Sequence, residues 1–242
     1  MDSPTTEIRR GRDRFHTKTD WLDSQHSFSF AHHYDPTNTH HGLLLVSNDD
    51  MIKAGTGFMT HPHQDMEIVT WVLEGELEHK DSAGRTGIIY PGLAQRMSAG
   101  TGIWHSEMNP RQNGGVHFIQ MWVAPDTQRI DPGYDQLDVN ADLDRGGVVP
   151  IASGRGHQAA ISIRQRGAVL WGGRLKAGET VTIPDARHVH LYVAKGAAEL
   201  EDAGLLASGD AVRLTRAGGR RLTADKTSGA EVLIWEMHGS LG

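Results

Sequence analysis

Two couples of side chains, His61-Pro62-His63 and His105-Ser106-Glu107, each set potential metal ligands two residues apart. Residues i and i+2 of a β-strand project from one face, so each couple can aim both members at a common interior point. That demands two neighbouring strands of a curved sheet or barrel. Three imidazoles and a carboxylate suit Fe, Ni, Cu, Zn or Mn better than Ca or Mg, and four protein ligands leave two positions of an octahedral ion open. Pro62 cannot donate to a sheet ladder, which places the first couple on an edge or a bulge. Gly100 and Gly102 let the backbone turn sharply ahead of the second couple. A solitary His-x-His is more often an exposed or hydrogen-bonded pair, but a second couple behind a Gly-x-Gly turn reverses that preference. Glu67, in strict alternation with His63 and Asp65, is expected to point inward too, as a fifth ligand, a base beside the metal or a buried-edge carboxylate.

The rest of the chain fits a barrel. Helical periodicity is scarce, whereas short runs rich in Val, Ile, Thr and Trp, such as Ile68 to Leu73, Val116 to Val123 and Glu231 to Met237, recur between Gly, Asp and Pro. The fold class is therefore all-β, and two barrels fit the length of 242 residues. A weak internal repeat relates Glu67 to Gly75 with His188 to Gly196. The irregular stretch after Ala124, with Asp131-Pro132-Gly133 and Gly146-Gly147, reads as a connector. The expected organisation is a metal-binding barrel over residues 1–130, a linker over 131–155 and a second, degenerate barrel over 156–242.

A net charge of −6 argues against direct nucleic-acid binding. The basic cluster of Arg9, Arg10, Arg12 and Arg14 is expected to be a solvated face. The apolar runs are too short to cross a bilayer, and the polar opening residues lack a secretion-signal pattern, so a soluble cytoplasmic protein is expected. With no cysteine, thiolate ligands and thiol nucleophiles are excluded, and the histidines carry the candidate chemistry.

Several stretches, Trp21-Leu22-Asp23, His26 to Phe30, Tyr34-Asp35-Pro36, His61-Pro62-His63-Gln64-Asp65-Met66-Glu67, Val72 to Glu76 and Met97 to Gly102 leading to His105-Ser106-Glu107, together resemble the pirin family of the cupin superfamily, in its bacterial bicupin branch. The C-terminal half resembles it more loosely. The resemblance implies a double β-barrel with one divalent transition-metal ion held by His61, His63, His105 and Glu107. Iron(II) is the ion most often associated with the family, while Zn, Cu, Ni and Mn also suit the fold. It further implies a dioxygenase acting on a small phenolic substrate, a flavonol such as quercetin, with dioxygen as partner and Glu107 or Glu67 as the catalytic carboxylate. A metal-binding regulatory or redox-sensing protein acting through protein partners is the alternative that the same resemblance offers. In the register of the internal repeat Lys226 occupies the place of His105, so no metal is expected in the second half. His188 and His190 are accordingly expected to be structural, and His32-His33 and His40-His41 point opposite ways on a strand and chelate poorly.

Overall fold

A computed structural model describes residues 3–241, and its regular secondary structure is almost entirely strand. They run β1 (Thr5–Arg9), β2 (Phe15–Lys18), β3 (Leu22–His26), β4 (Leu44–Ile52), β5 (Gly57–His63), β6 (Glu67–Glu74), β7 (Leu77–Asp81), β8 (Thr86–Ile89), β9 (Leu93–Ser98), β10 (Ile103–Met108), β11 (Val116–Val123) and β12 (Gly133–Asp138). A 3-10 turn at Gly11–Asp13 joins β1 to β2, and after the short α-helix α1 (Asn140–Leu143) come β13 (Val149–Ser153), β14 (Ile161–Ser162), β15 (Ala168–Leu175), β16 (Thr180–Thr182), β17 (His188–Leu200), β18 (Gly204–Ala207), β19 (Ala211–Thr215), β20 (Arg221–Ala224) and β21 (Ala230–Met237).

The first barrel faces a sheet ordered β12-β9-β6-β11-β4-β3-β2 against a smaller one ordered β5-β10-β7-β8. The second is built on the order β1-β19-β17-β21-β15-β13-β14, with β18 and β20 on the far stretch of the long strand β17 and β16 beyond β20. Period-two alternation explains how the halves join. In β6, Val69, Trp71 and Leu73 enter a core shared with Tyr192, Leu233 and Trp235 of the second half, while Val72 faces the first barrel's own interior with Phe118 and Leu77. In β21, Val232 and Ile234 turn the other way, into the second barrel. Strands with both faces covered need the nearly continuous apolar runs that the sequence supplies.

The repeat seen in the sequence is structural. β6 and β17 are central strands of their sheets, and Gly75 and Gly196, at φ 81° and 71°, follow equivalent segments. A Cβ on Gly75 would lie 2.6 Å from the Gly115 carbonyl oxygen, and one on Gly196 would lie 2.2 Å from that of Gly229. Both glycines let a strand change course tightly against its neighbour.

Two placements differ from the sequence expectation. Residues 131–155 are not a bare connector: β12 pairs antiparallel with β9 of the first half, and β13 with β15 of the second. Also, β1 does not join the first barrel but pairs with β19, Thr5 opposite Thr215 and Arg9 opposite Ala211. Its alternating polar residues escape periodicity because strand β1 is largely exposed on both faces at the sheet edge. No helix among the described residues is long and apolar enough to cross a membrane.

Candidate metal centre

Strand β5 lies at the edge of the smaller sheet, where Pro62 can sit opposite Trp104 without costing a ladder hydrogen bond. The pairing of β5 with β10 sets His61 directly across from His105. A register shift between His105 and Glu107 makes Phe58 the partner of Glu107. Of the two glycines before β10, Gly100 is the constrained one, with φ 50° and a carbonyl oxygen of Ile130 at 2.1 Å from where a Cβ would stand; Gly102 (φ 131°) meets open space.

The two strands bring the three imidazoles together. Ring centroids are 4.4 Å apart for His61 and His105, and 4.9 Å for both His61–His63 and His63–His105. One nitrogen from each lies within 4.8 Å of the other two. His61 Nδ1 is 2.8 Å from the Met59 carbonyl oxygen, to which it donates, leaving Nε2 as the free lone pair. The Nε2 atoms of His63 and His105 are buried with no hydrogen-bond partner. Burial, followed by the neighbouring imidazoles, pulls the pKa of His63 and of His105 down to about 3. Neutral imidazoles with unpartnered, converging lone pairs suit a divalent transition ion.

Glu107 is buried, and its carboxylate groups with His105 and His79 within 4.8 Å. Among the described residues no set within that distance unites it with all of His61, His63 and His105. Gln120 Nε2 donates to Glu107 Oε2 at 2.7 Å and turns the carboxylate toward β11. Burial raises its pKa.

Sequence reasoning missed His79. It is fully buried on β7 and joins Asp81 to the site, with Nδ1 3.4 Å from His105 Nδ1 and Nε2 3.5 Å from Asp81 Oδ2. Asp81 is itself held by the backbone N–H groups of Ala83 and Arg85. Read from Asp81 outward, this ordering gives His79 a proton on Nε2 and His105 a proton on Nδ1, which directs His105 Nε2 at its neighbours. The only signal in the sequence is that His79 alternates with Leu77 and Asp81.

Of the three roles open to Glu67, its surroundings match the buried carboxylate. It stands outside both ligand groups: its Oε2 accepts from Ser98 Oγ and from the backbone N–H of Arg164, each at 3.0 Å, with Arg96 Nε at 3.9 Å. The alternation that pointed it inward fails because β5 ends at His63 and a turn with Asp65 at φ 48° intervenes before β6.

A cavity of 380 Å³ opens beside His61, His63 and Glu107. Leu22, Phe30, Phe58 and Trp122 make it apolar, while Asp50, Ser24 and His26 form a polar wall. Trp122 stands edge-on to His63 at 4.9 Å, whereas Trp71 is core and Trp104 is 53% exposed. His190, in the second half, is buried against Phe28 at 5.8 Å.

A family model described as Pirin matches residues 7–123, and one described as quercetinase C-terminal cupin domain matches residues 150–237. A Mycobacterium tuberculosis protein provisionally named quercetin 2,3-dioxygenase is 59% identical over 239 residues, 98% of this chain and 97% of that protein. Escherichia coli quercetin 2,3-dioxygenase is 49% identical over 134 residues, 55% of this chain and 58% of its own length. Among solved structures, Escherichia coli YhhW superposes with a TM-score of 0.90 at 35% identity, covering 98% of this chain and all of that one. The bacterial pirin YhhW in complex with nickel(II) gives a TM-score of 0.88 at 35% identity over the same shares, 98% and 100%.

Proposed function

The chain belongs to the pirin family, and from that premise we propose that it is a metal-dependent dioxygenase opening the ring of a flavonol such as quercetin, with one divalent ion, Fe(II), held by His61, His63, His105 and Glu107. The observation that carries this reading is the convergence of three imidazoles, two with buried unpartnered Nε2 atoms, on the mouth of an apolar cavity. The relatives named quercetin 2,3-dioxygenase support the substrate class. An ion bound there supplies Lewis acidity toward the hydroxyl and carbonyl oxygens of a chelating phenolic.

The protein's own groups do the rest. Phe30, Phe58 and Trp122 bracket a flat aromatic ring and exclude bulk water. Glu107, its carboxyl pKa raised by burial and its orientation set by Gln120, is a carboxylate within 4.8 Å of His105 and serves as proton acceptor. The second barrel contributes by packing rather than by ligands, and we place the division between the barrels between β12 and β13. Oxygen uptake by gently purified, metal-analysed protein with quercetin tests the reading. Bleaching that disappears in His105→Ala supports it; metal-loaded protein that neither consumes oxygen nor bleaches quercetin overturns it.

A further inference from the structure

The basic cluster near the N-terminus is solvated only in part: the Arg12 side chain is 84% exposed, Arg9 and Arg10 are half-buried, and one member turns inward. Arg14 has a side chain only 5% exposed, and with Arg9, Arg10 and Ser27 it lines a cavity of 280 Å³. The cavity is separated from the metal-side cavity by His26, which lines both. Around it the buried polar atoms without a partner are Arg9 Nε, Arg14 Nη1 and Ser27 Oγ. Arg213 Nε, also buried and unpartnered, belongs to the side chain that holds Ser27 O and Asn38 Oδ1 at 2.8 and 2.7 Å from its Nη2.

The acids nearby are already engaged. Asp210 accepts from Arg10 Nη1 at 2.6 Å and from Gly11 N at 2.8 Å. Asp49 takes Arg14 Nη2 at 3.3 Å, His117 Nε2 at 2.6 Å and the Tyr192 hydroxyl. Glu7 pairs with Arg9 at 2.6 Å and lies 3.8 Å from Arg213. Of the two acids lining the cavity, Asp35 accepts from Thr37 N and Oγ1 at 2.8 and 2.7 Å, and Asp13 is exposed beside Arg12 at 3.8 Å. What the site leaves unmet is therefore donors, two of them on the guanidinium groups of Arg9 and Arg14 that line it. Burial, then the like charge of Arg9, pulls the pKa of Arg213 down to about 10, as expected where a cation lacks full compensation.

Buried donors without partners are rare in native proteins and point to a bound group that supplies acceptors. Guanidinium forks match planar or tetrahedral oxyanions, and a hydroxyl beside them completes the set. We propose that this cavity is a second binding site, independent of the metal centre, for a small oxyanion bearing a carboxylate or phosphate group, held by Arg9, Arg14 and Ser27.

Thermal unfolding of the metal-loaded protein with inorganic phosphate or acetate, at an ionic strength held constant with chloride, tests it. A saturable rise in Tm with either oxyanion is expected, with an apparent affinity roughly tenfold weaker in Arg9→Gln or Ser27→Ala. The rise is expected to persist in His61→Ala. The half-exposed Arg9 and the small Ser27 are chosen so that at least one variant keeps the fold. If neither oxyanion acts beyond chloride, the cavity holds water and the proposal fails. It fails equally if both folded variants titrate like wild type, or if His61→Ala abolishes the shift, which would put the anion on the metal.

Discussion

Glu67 accepts the backbone N–H of Arg164 at 3.0 Å, so a carboxylate only four residues beyond the His-Pro-His couple ties the first barrel to the second. It is 1% exposed, and Arg96, also buried, lies 3.9 Å from it. Glu67→Ala removes the charge facing a buried guanidinium and two accepted hydrogen bonds, so a loss on the order of 3 kcal/mol is expected. Metal content is expected to stay at the wild-type value. Urea unfolding beside metal analysis separates these; loss of metal from a folded Glu67→Ala protein would return Glu67 to the ligand set.

His79 and Asp81 order the proton on His105 through contacts of 3.4 and 3.5 Å. Replacing His79 by Phe removes that ordering while keeping a ring in the space. Metal affinity is expected to fall by about 10–100-fold. Competition with a chelator measures it, and unchanged affinity would mean that His105 is oriented by strand pairing alone.

Asp50, in the cavity wall, is fully buried, and its pKa is pushed up to about 7, first by desolvation. Ser24 donates to it. A carboxyl whose folded pKa exceeds its unfolded one costs stability when charged: nothing below pH of about 4, and the full amount above about 7. Asp50→Asn is therefore expected to stabilise the protein at pH 8, by at most roughly 4 kcal/mol, and to leave it unchanged near pH 4. Melting curves across this range check the sign; a variant destabilised equally at both ends would contradict it.

Gly57 leaves no space for a side chain, since an added Cβ would stand 2.2 Å from the Glu107 carbonyl oxygen and 2.6 Å from Met108 Cα. Both contacts are backbone, so relief requires β5 and β10 to separate. Gly57→Ala is expected to cost about 1–3 kcal/mol and to lower metal content, because this pairing holds His61 against His105. Calorimetry together with metal analysis measures both; unchanged stability and metal content would show that the strand end gives way without moving the imidazoles.

The residues that could be read from sequence are those tied to period two. His61, His63 and His105 converge because one strand register suffices to bring them together, and the likeness of β6 and β17 survives because both central strands need covered faces and a glycine at the same point. The sequence left the role of Glu67 open because one turn residue in the left-handed region, Asp65, resets the alternation. His79 and Gln120 stand alone among ordinary neighbours, and only the barrel's closure carries them, and Asp50 of the run Asn48-Asp49-Asp50, to the site. Arg14 looked like surface because nothing local records that β1 crosses to the other sheet and folds a cavity between the halves.

That crossing of β1 decides how the molecule can be dissected. A cut in the segment joining the barrels would strand β1 on the wrong fragment: the C-terminal piece would bare the β19 edge over five residues, and the N-terminal piece would trail an orphan strand complementary to it. Expressed apart, the fragments are a matched tenon and mortise, built to find each other again or to seize another copy.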